Sequence, residues 1–260
     1  DMDGEHALGF YWGPWTDSGE VEEQDERLPH IVLSRRLDTN FHGFGKFRGG
    51  TPLLEVAMGP CGHEACSMSS WGSSDKLSFN FGLFGGYAGP PNPRTVLRDT
   101  NLLEKLGDGE DIELGQYALL TDQKLRAEYH LTSSSKDAEP LGENDLVIHS
   151  VGAGGGYGDV LERDPALVRQ DLDANLITQE VAEKIYGVVF DQETGEVNPQ
   201  NTEKARAKIK RKRLKNGAPF KDFIKGWLKK TPKSSVISRY GEYPDPRFPG
   251  YRKAFWGLYK

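Results

Sequence analysis

The chain has 260 residues, enough for one large domain or two small ones with a buried core. Its 39 acidic and 33 basic residues give a net charge of −6, which argues against general nucleic-acid binding. No run of residues approaches the roughly 18 consecutive apolar residues of a membrane-spanning helix, so the sequence predicts no membrane span.

The N-terminal part of the chain is predicted to consist mainly of strands and loops. Residues 28–37 and 51–59 are short, apolar, β-branched segments bounded by Gly or Pro, which is typical of strands. Between them, residues 41–50 mix aromatic residues with glycines, which indicates a turn with close packing. Residues 77–94 alternate aromatic and small residues before a proline-rich break, and residues 143–156 form a strand that continues into a glycine loop.

The pattern becomes helical after this loop. Asp164 followed by Pro165 predicts a helix start, because Asp caps free N–H groups and Pro fits the first turn; Asn175 ends this helix. Thr178 caps a second helix, which ends at Gly187. The later elements are predicted in this order: a hairpin over 188–198, a charged helix over 202–215 and a short helix over 221–230.

Together these elements predict a mixed α+β fold. A β-rich, glycine-rich body covers residues 1–160, and a helical C-terminal segment with an extended aromatic tail covers residues 161–260. Large rings in the tail would make too large an apolar patch on a free surface, so we expect the tail to dock at a subunit interface. These rings are Trp227, Tyr240, Tyr243, Phe248, Tyr251, Phe255, Trp256 and Tyr259.

The glycine loop lies in residues 150–165, SVGAGGGYGDVLERDP. A strand, a glycine turn and a helix in this order can bind phosphate through backbone N–H groups. No Gly-Lys-Ser/Thr follows, however, and Tyr157 or Asp159 stands where a dinucleotide fingerprint needs its third glycine. A tight backbone crossing is therefore favoured, with a loop that lines an active site as the alternative. The residues assigned to this scaffold or site-lining loop are Gly152, Gly154, Gly155, Gly156, Tyr157, Gly158, Asp159 and Arg163.

A compact charged group follows the glycines. Asp159, Glu162, Arg163 and Asp164 are interpreted as helix caps together with an Arg–carboxylate pair that pins the loop. Elsewhere the charge is strongly segregated, because residues 204–215 are basic and residues 17–26 are acidic. Positive charges fall on every face of the basic helix and no aromatic residues interleave, which favours a solvated helix or an acidic partner surface over RNA.

Two cysteines and several histidines are further candidates for chemistry. Cys61, His63 and Cys66 offer three metal ligands where zinc normally takes four, so an inert loop is favoured over a metal site or a Cys61 nucleophile. Two cysteines make no disulfide framework, which predicts a reducing, cytoplasmic location. His149 and His42 are interpreted as core histidines, with a site-facing role as the alternative.

Two segments carry a family resemblance. Residues 152–191 combine a glycine run, Tyr-Gly-Asp, Leu-Glu-Arg-Asp-Pro, two capped helices and Tyr-Gly-Val-Val. Residues 43–50 read Gly-x-Gly-x-x-Arg-Gly-Gly. Both patterns resemble the hydantoinase B/oxoprolinase family, which would make residues 1–160 part of a hydantoinase B-like domain. The basic helix, the segment PFKDFIKGW and the aromatic ending are most similar to the alpha subunits of acetone carboxylases.

The resemblance implies part of a large, manganese-containing subunit of an ATP-dependent ketone carboxylase. A hydantoinase A-like partner subunit would phosphorylate the ketone and bicarbonate with ATP, a small third subunit would complete the complex, and acetone would yield acetoacetate. The family also allows ATP-dependent hydrolysis of a cyclic amide such as hydantoin or 5-oxoproline. A non-catalytic structural module of such a complex is the third alternative.

The sequence departs from the family in two ways. Ala153 stands where the family has Gly. The family's alpha subunits are also much longer, and the resemblance implies that their metal-binding His and Asp residues lie in an N-terminal half to which we expect no counterpart in residues 1–260. The first residue, Asp1, likewise favours a processed chain or a piece of a longer polypeptide. No catalytic residue or metal ligand is carried over, and we expect manganese and ATP to bind outside this chain, which alone would be inactive.

Overall fold

A computed structural model of the chain describes these residues: 2–6, 20–59, 66–69, 78–91, 94–132 and 138–227. The chain divides into two compact units, Asp1–Arg206 and Ala207–Lys260. The predicted boundary at residue 160, between the β-rich body and the helical C-terminal segment, stays a prediction. None of the described helices combines the length and the apolar character needed to cross a lipid bilayer.

The first unit is built on a five-stranded antiparallel sheet and several short helices. In chain order the elements of the protein are α1 (Val21–Arg27), β1 (Ile31–Leu37), β2 (Leu53–Gly59), β3 (Cys66–Ser69), β4 (Arg94–Arg98), α2 (Leu102–Gly107), α3 (Gln116–Thr121), β5 (Glu128–Thr132), β6 (Ala138–Leu141), β7 (Asp145–Ser150), α4 (Pro165–Asp173), α5 (Gln179–Lys184), α6 (Pro199–Asn216) and α7 (Phe220–Trp227). A 3₁₀ turn, Val160–Glu162, precedes α4.

The sheet has the order β1-β2-β7-β4-β5, and a two-stranded sheet joins β3 to β6. The last strand, β7, lies in the middle and pairs antiparallel with both β2 and β4. Buried residues alternate along β2, whereas almost every residue of β7 is buried, as expected for a strand covered on both faces. Leu54, Val56, Leu97, Leu146 and Ile148 form the centre of this core.

A second apolar cluster lies under α4 and α5. Asp164 accepts a hydrogen bond from the Ala166 amide (2.9 Å), and Thr178 accepts one from the Val181 amide (3.4 Å), so both predicted caps are present. Asn175 has φ 56° in the turn between the two helices. The buried members of the cluster are Val160, Val168, Ile177, Ala182, Tyr186 and Val188.

The predicted α+β class is confirmed, together with strands β1, β2 and β7, helices α4 to α6 and a bridge in the predicted hairpin. Before residue 150 the structure adds three short helices, α1, α2 and α3, to the predicted strands and loops. Helices α2 and α3 have six residues each, too few to show a helical hydrophobic period. Helix α1 overlaps the acidic stretch and buries no residue, so it has no apolar face to detect.

The described part of the second unit is helical. No side chain of residues 207–216 is buried, as expected for a solvated charged helix. Pro219 precedes α7 and accepts hydrogen bonds from the amides of Asp222 (2.9 Å) and Phe223 (3.0 Å). The aromatic tail predicted to dock lies, beyond Trp227, outside the described residues.

Candidate functional site: the glycine frame and its ion network

Three extended segments cross next to the sheet and form what we call the glycine frame: residues 42–50, 80–89 and 152–158. The third segment directly follows β7, so the central strand of the sheet delivers it to this place. Backbone hydrogen bonds tie the three segments together: Gly43 N to Gly154 O (2.8 Å), Gly154 N to Gly50 O (3.0 Å), Tyr87 N to Phe44 O (2.7 Å), Gly156 N to Tyr87 O (2.9 Å), Tyr157 N to Phe47 O (2.9 Å) and Gly158 N to Leu83 O (2.9 Å).

The segments approach so closely that side chains do not fit between them. A methyl group at Gly49 would overlap the carbonyl oxygen of Gly154, and one at Gly156 would overlap the carbonyl oxygen of Phe44. Both obstacles are backbone atoms, which cannot rotate away as a side chain can. The high glycine content of these segments therefore has a packing cause.

Four amides of the glycine loop already have partners. Gly154, Gly156, Tyr157 and Gly158 donate to carbonyl oxygens of the other two segments. A phosphate site of the glycine-loop type needs such amides free to face the anion, with a helix starting directly behind them. Here a 3₁₀ turn intervenes and α4 begins only at Pro165. The geometry favours a backbone crossing over nucleotide binding at this loop.

A buried ion network lies beside the frame and is centred on Arg163. The Arg163 guanidinium is fully buried and donates to both carboxylate oxygens of Asp3 (2.6 and 2.7 Å). It also donates to Asp171 Oδ2 (2.7 Å) and to the carbonyl oxygen of Lys46 (3.1 Å). One side chain thus joins the start of the chain, the frame and α4 through charge-assisted hydrogen bonds.

A second arginine, Arg48, extends the network. Its Nε donates to Asp171 Oδ1 (2.9 Å), and its Nη2 lies 3.1 Å from Nε2 of His6. The Arg48 amide donates to Asp3 Oδ1 (2.9 Å), and the Gly4 amide donates to the Arg48 carbonyl oxygen (2.8 Å). These contacts fix residues 3–6 against the frame.

The predicted charged group has a different arrangement from the one expected. Arg163 pairs with Asp3 and Asp171 and not with its sequence neighbours. Asp159 caps the 3₁₀ turn by accepting from the Leu161 amide (2.9 Å), and Asp164 caps α4. Glu162 lies 3.9 Å from Lys46 on the surface. The expected Arg–carboxylate pair exists, but its carboxylates are Asp3, from the start of the described chain, and Asp171, two turns into α4.

The charges of the network stabilise one another. Burial raises the pKa of Asp3, but hydrogen bonds from Arg163 and from the Arg48 amide outweigh it, so the net pKa lies below the usual value. Burial lowers the pKa of Arg163, and the hydrogen bond to Asp3 with the charge of Asp171 reverses this into a net rise. Both partners therefore stay ionised at neutral pH.

Two histidines near the frame are uncharged. His42 is buried, its Nδ1 lies 3.0 Å from Thr51 Oγ1, and its ring packs edge-on against Phe44. Burial, followed by the charges of Arg48 and Arg163, lowers the pKa of His42 to about 3. His149 on β7 is half-buried, and burial lowers its pKa too, partly offset by Glu55.

We expect His42→Gln to make the protein less sensitive to mild acid. Between pH 6.5 and about 3 the unfolded chain binds a proton at His42 and the folded chain does not, so the wild type loses stability as pH falls. The slope from this one group is up to about 1.4 kcal/mol per pH unit. Urea unfolding of the wild type and of His42→Gln at pH 7, 6 and 5 measures how the free energy of unfolding changes with pH. Equal slopes for both proteins would show that His42 takes up a proton in the folded state.

The described residues do not fit a metal centre. Among them, no group of three or more His, Cys, Asp or Glu side chains is arranged to hold a metal ion. Of the predicted metal candidates, Cys61 and His63 lie outside the described residues, and Cys66 begins β3 with its side chain outside the description. The prediction of an inert loop at these residues, with a metal site as the alternative, stays a prediction, and no step of a reaction is derived through a metal there.

Sequence and structure comparisons place the chain among known proteins. Residues 1–160 match the sequence profile of the Hydantoinase B/oxoprolinase family. The chain is 30% identical to the acetophenone carboxylase delta subunit of Aromatoleum aromaticum over 94% of its own length and 36% of the relative's. It is 27% identical to the acetone carboxylase alpha subunit of Xanthobacter autotrophicus over 99% of its length and 35% of the relative's. It therefore spans about a third of the curated relatives it matches.

The fold agrees with these relatives. A nucleotide-free structure of acetone carboxylase superposes on the whole chain with a TM-score of 0.76 and 27% identity, and the chain covers 36% of that structure's chain. A caprolactamase beta subunit of Pseudomonas jessenii is 30% identical, but over only 67% of the chain. With more than half of its length matched by the family profile and all of it matched in structure, the chain belongs to the hydantoinase B/oxoprolinase family.

Proposed function

We propose that the chain forms part of the alpha-type subunit of an ATP-dependent ketone carboxylase, which makes acetoacetate from acetone and bicarbonate. One observation carries this proposal. The two carboxylase subunits align with 94% and 99% of the chain, whereas the caprolactamase subunit aligns with 67%. Similarity across almost the entire chain, including its C-terminal part, favours carboxylation over hydrolysis of a cyclic amide.

The role of this chain within the enzyme is to supply a rigid scaffold. Backbone hydrogen bonds and closely packed glycines fix the frame, and the Arg163 network holds it to α4. A scaffold of this kind limits movement of a site built on or next to it, which catalysis requires. In this proposal the residues that line or support such a site are Gly152, Gly154, Gly155, Gly156, Tyr157, Gly158, Asp159 and Arg163, and the described residues supply no metal ligand set.

The remaining parts of the enzyme come from elsewhere. In this proposal manganese and ATP bind outside the described residues. A hydantoinase A-like subunit activates the substrates, a small third subunit completes the complex, and the assembly works in the cytoplasm. The carboxylase relatives are named as subunits, in agreement with a multi-subunit enzyme.

The test is substrate-dependent ATP turnover of the assembly purified from its source organism through a tag on this polypeptide. We expect ATP hydrolysis and acetoacetate formation only when acetone and bicarbonate are both present. Acetophenone serves as a second ketone, because one carboxylase relative is named for it. Labelled bicarbonate then identifies the new carboxyl group in the product, and metal analysis of the same sample measures manganese.

Two outcomes would contradict the proposal in different ways. ATP turnover with hydantoin or 5-oxoproline and no need for bicarbonate would establish the amide hydrolase. The assembly could also be inactive with ketones and with cyclic amides and hold no metal. This result would support the third alternative, a non-catalytic structural module.

A further inference from the structure

One side of the glycine frame carries a group of exposed apolar side chains, which we call the aromatic patch: Phe79, Phe81, Leu83, Phe84 and Tyr157. Phe84 is 79% exposed, and the other four side chains are 47% to 62% exposed. Single exposed apolar residues are common on protein surfaces, but several large ones side by side mark interaction sites.

Leu83, Phe84 and Tyr157 are direct neighbours in space, and Phe79 and Phe81 lie just before Leu83 on the same segment. The Leu83 amide donates to the Gly156 carbonyl oxygen (3.0 Å), so Leu83 is a direct neighbour of Tyr157. The ring of Tyr157 lies 5.2 Å from that of Phe84. Asn80 donates to the Ala153 carbonyl oxygen (2.6 Å) and so faces the frame, while Phe79 and Phe81 flank it in sequence.

The backbone holds the patch in this exposed form. Phe84 has φ 51°, a conformation that is strained for an aromatic residue. The Leu83 carbonyl oxygen accepts hydrogen bonds from the amides of Gly86 (3.0 Å) and Gly158 (2.9 Å) on either side of the patch. The patch is therefore a preformed surface, which keeps the cost of ordering on association low.

The chemistry of the patch identifies its partner as an apolar protein surface. Residues 78–91 contain no charged side chain, although 28% of the whole chain is charged. Nucleic acids and anionic membranes are bound mainly through several Lys and Arg side chains, whereas none of the five patch residues is basic and the patch is bordered by the single cation Lys46, which lies over the Phe47 ring beside Tyr157. The centres of protein interfaces, in contrast, are depleted in charge and enriched in aromatic residues.

Family membership indicates which protein supplies that surface. Of the two carboxylase subunits, 64% and 65% of the length has no counterpart in this chain. We propose that the aromatic patch is the docking surface for this remaining part of a hydantoinase B-type subunit, whether both parts are encoded as one polypeptide or as two. The inference rests on family membership and is independent of the ketone carboxylation proposed above.

Hydroxyl-radical footprinting tests the proposal on two samples: the 260-residue chain alone, and the assembly purified from its source organism. We expect oxidation of Phe84, Leu83 and Tyr157 to fall at least about fivefold in the assembly, because interface centres exclude water. Cross-linking of Tyr157 in the assembly then identifies the polypeptide that covers it. Leu106 on α2, which is 45% exposed, serves as the control and should change little.

A double variant tests the same surface by mutation. We expect Leu83→Ser with Phe84→Ser to leave the isolated chain folded, since neither side chain packs in its core, and to abolish assembly with the remaining part of the subunit. Leu106→Ser is the matched control. Unchanged oxidation of the patch in the assembly would overturn the proposal. So would cross-links to a second copy of this chain or to a hydantoinase A-like subunit, or protection by lipid vesicles alone.

Discussion

Gly156→Ala should prevent the protein from folding to a stable state. The added methyl group would overlap the carbonyl oxygen of Phe44. The next nearest atoms are also backbone, namely the Phe44 carbonyl carbon and the Gly43 carbonyl oxygen. Overfilling a packed interior costs about 1–3 kcal/mol when side chains can yield, and we expect at least about 3 kcal/mol where only backbone is present. Soluble yield and urea unfolding of the purified protein measure the effect.

Gly107→Ala is the matched control. Gly107 lies at the end of α2, and beyond its own helix and chain neighbours nothing comes within 4 Å of an added methyl group, so the same chemical change should be neutral or stabilise slightly. If Gly156→Ala unfolds at the same urea concentration as Gly107→Ala, the close crossing of the three segments is not what the glycines are needed for.

Arg163→Met should destabilise the protein by about 3 kcal/mol, because it removes the buried guanidinium and leaves Arg48 as the remaining cationic partner of Asp3 and Asp171. Asp3 and Asp171 both lose a hydrogen bond from Arg163, and Asp3 loses its bidentate partner. Urea unfolding measures the loss. We also expect earlier cleavage near residue 6 in limited proteolysis, since the network holds this segment.

A double-mutant cycle separates pairing from packing at this site. Adding Asp3→Asn to Arg163→Met removes the carboxylate that has lost its bidentate partner, so the double variant should be more stable than the sum of the two single effects predicts. Lys184→Met, which breaks an exposed pair with Glu180, is the control and should leave stability unchanged. Simple additivity of Arg163→Met and Asp3→Asn would mean that the two side chains do not interact.

Local chemistry in the sequence accounts for what could be predicted. Asp164 and Thr178 begin α4 and α5 as expected, because a cap acts on amides two or three residues away. Strands β2 and β7 follow from their apolar pattern. These signals depend only on residues close together in the chain, so they remain valid without knowledge of the tertiary structure.

The ion network could not be predicted, because Asp3 lies 160 residues from Arg163 and the Arg48–Asp171 pair spans 123 residues. Asp159, Glu162 and Asp164 lie next to Arg163 in sequence, yet the guanidinium is turned inward to Asp3 and Asp171. Similarly, the loop composition indicated close packing but not which segments meet at Gly49 and Gly156. The family, in contrast, could be predicted from the spacing of the glycines, because a glycine is required at positions where two backbone segments come into close contact.

The central position of β7 has a consequence for synthesis on the ribosome. The antiparallel pair of β1 and β2 and the pair of β4 and β5 both precede β7 in the chain, and each presents an unsatisfied hydrogen-bonding edge until β7 is added. Only the late insertion of β7 closes both edges, a slow step because it joins segments far apart in the chain. Nascent chains that stall before residue 150 should therefore be the species most dependent on chaperones.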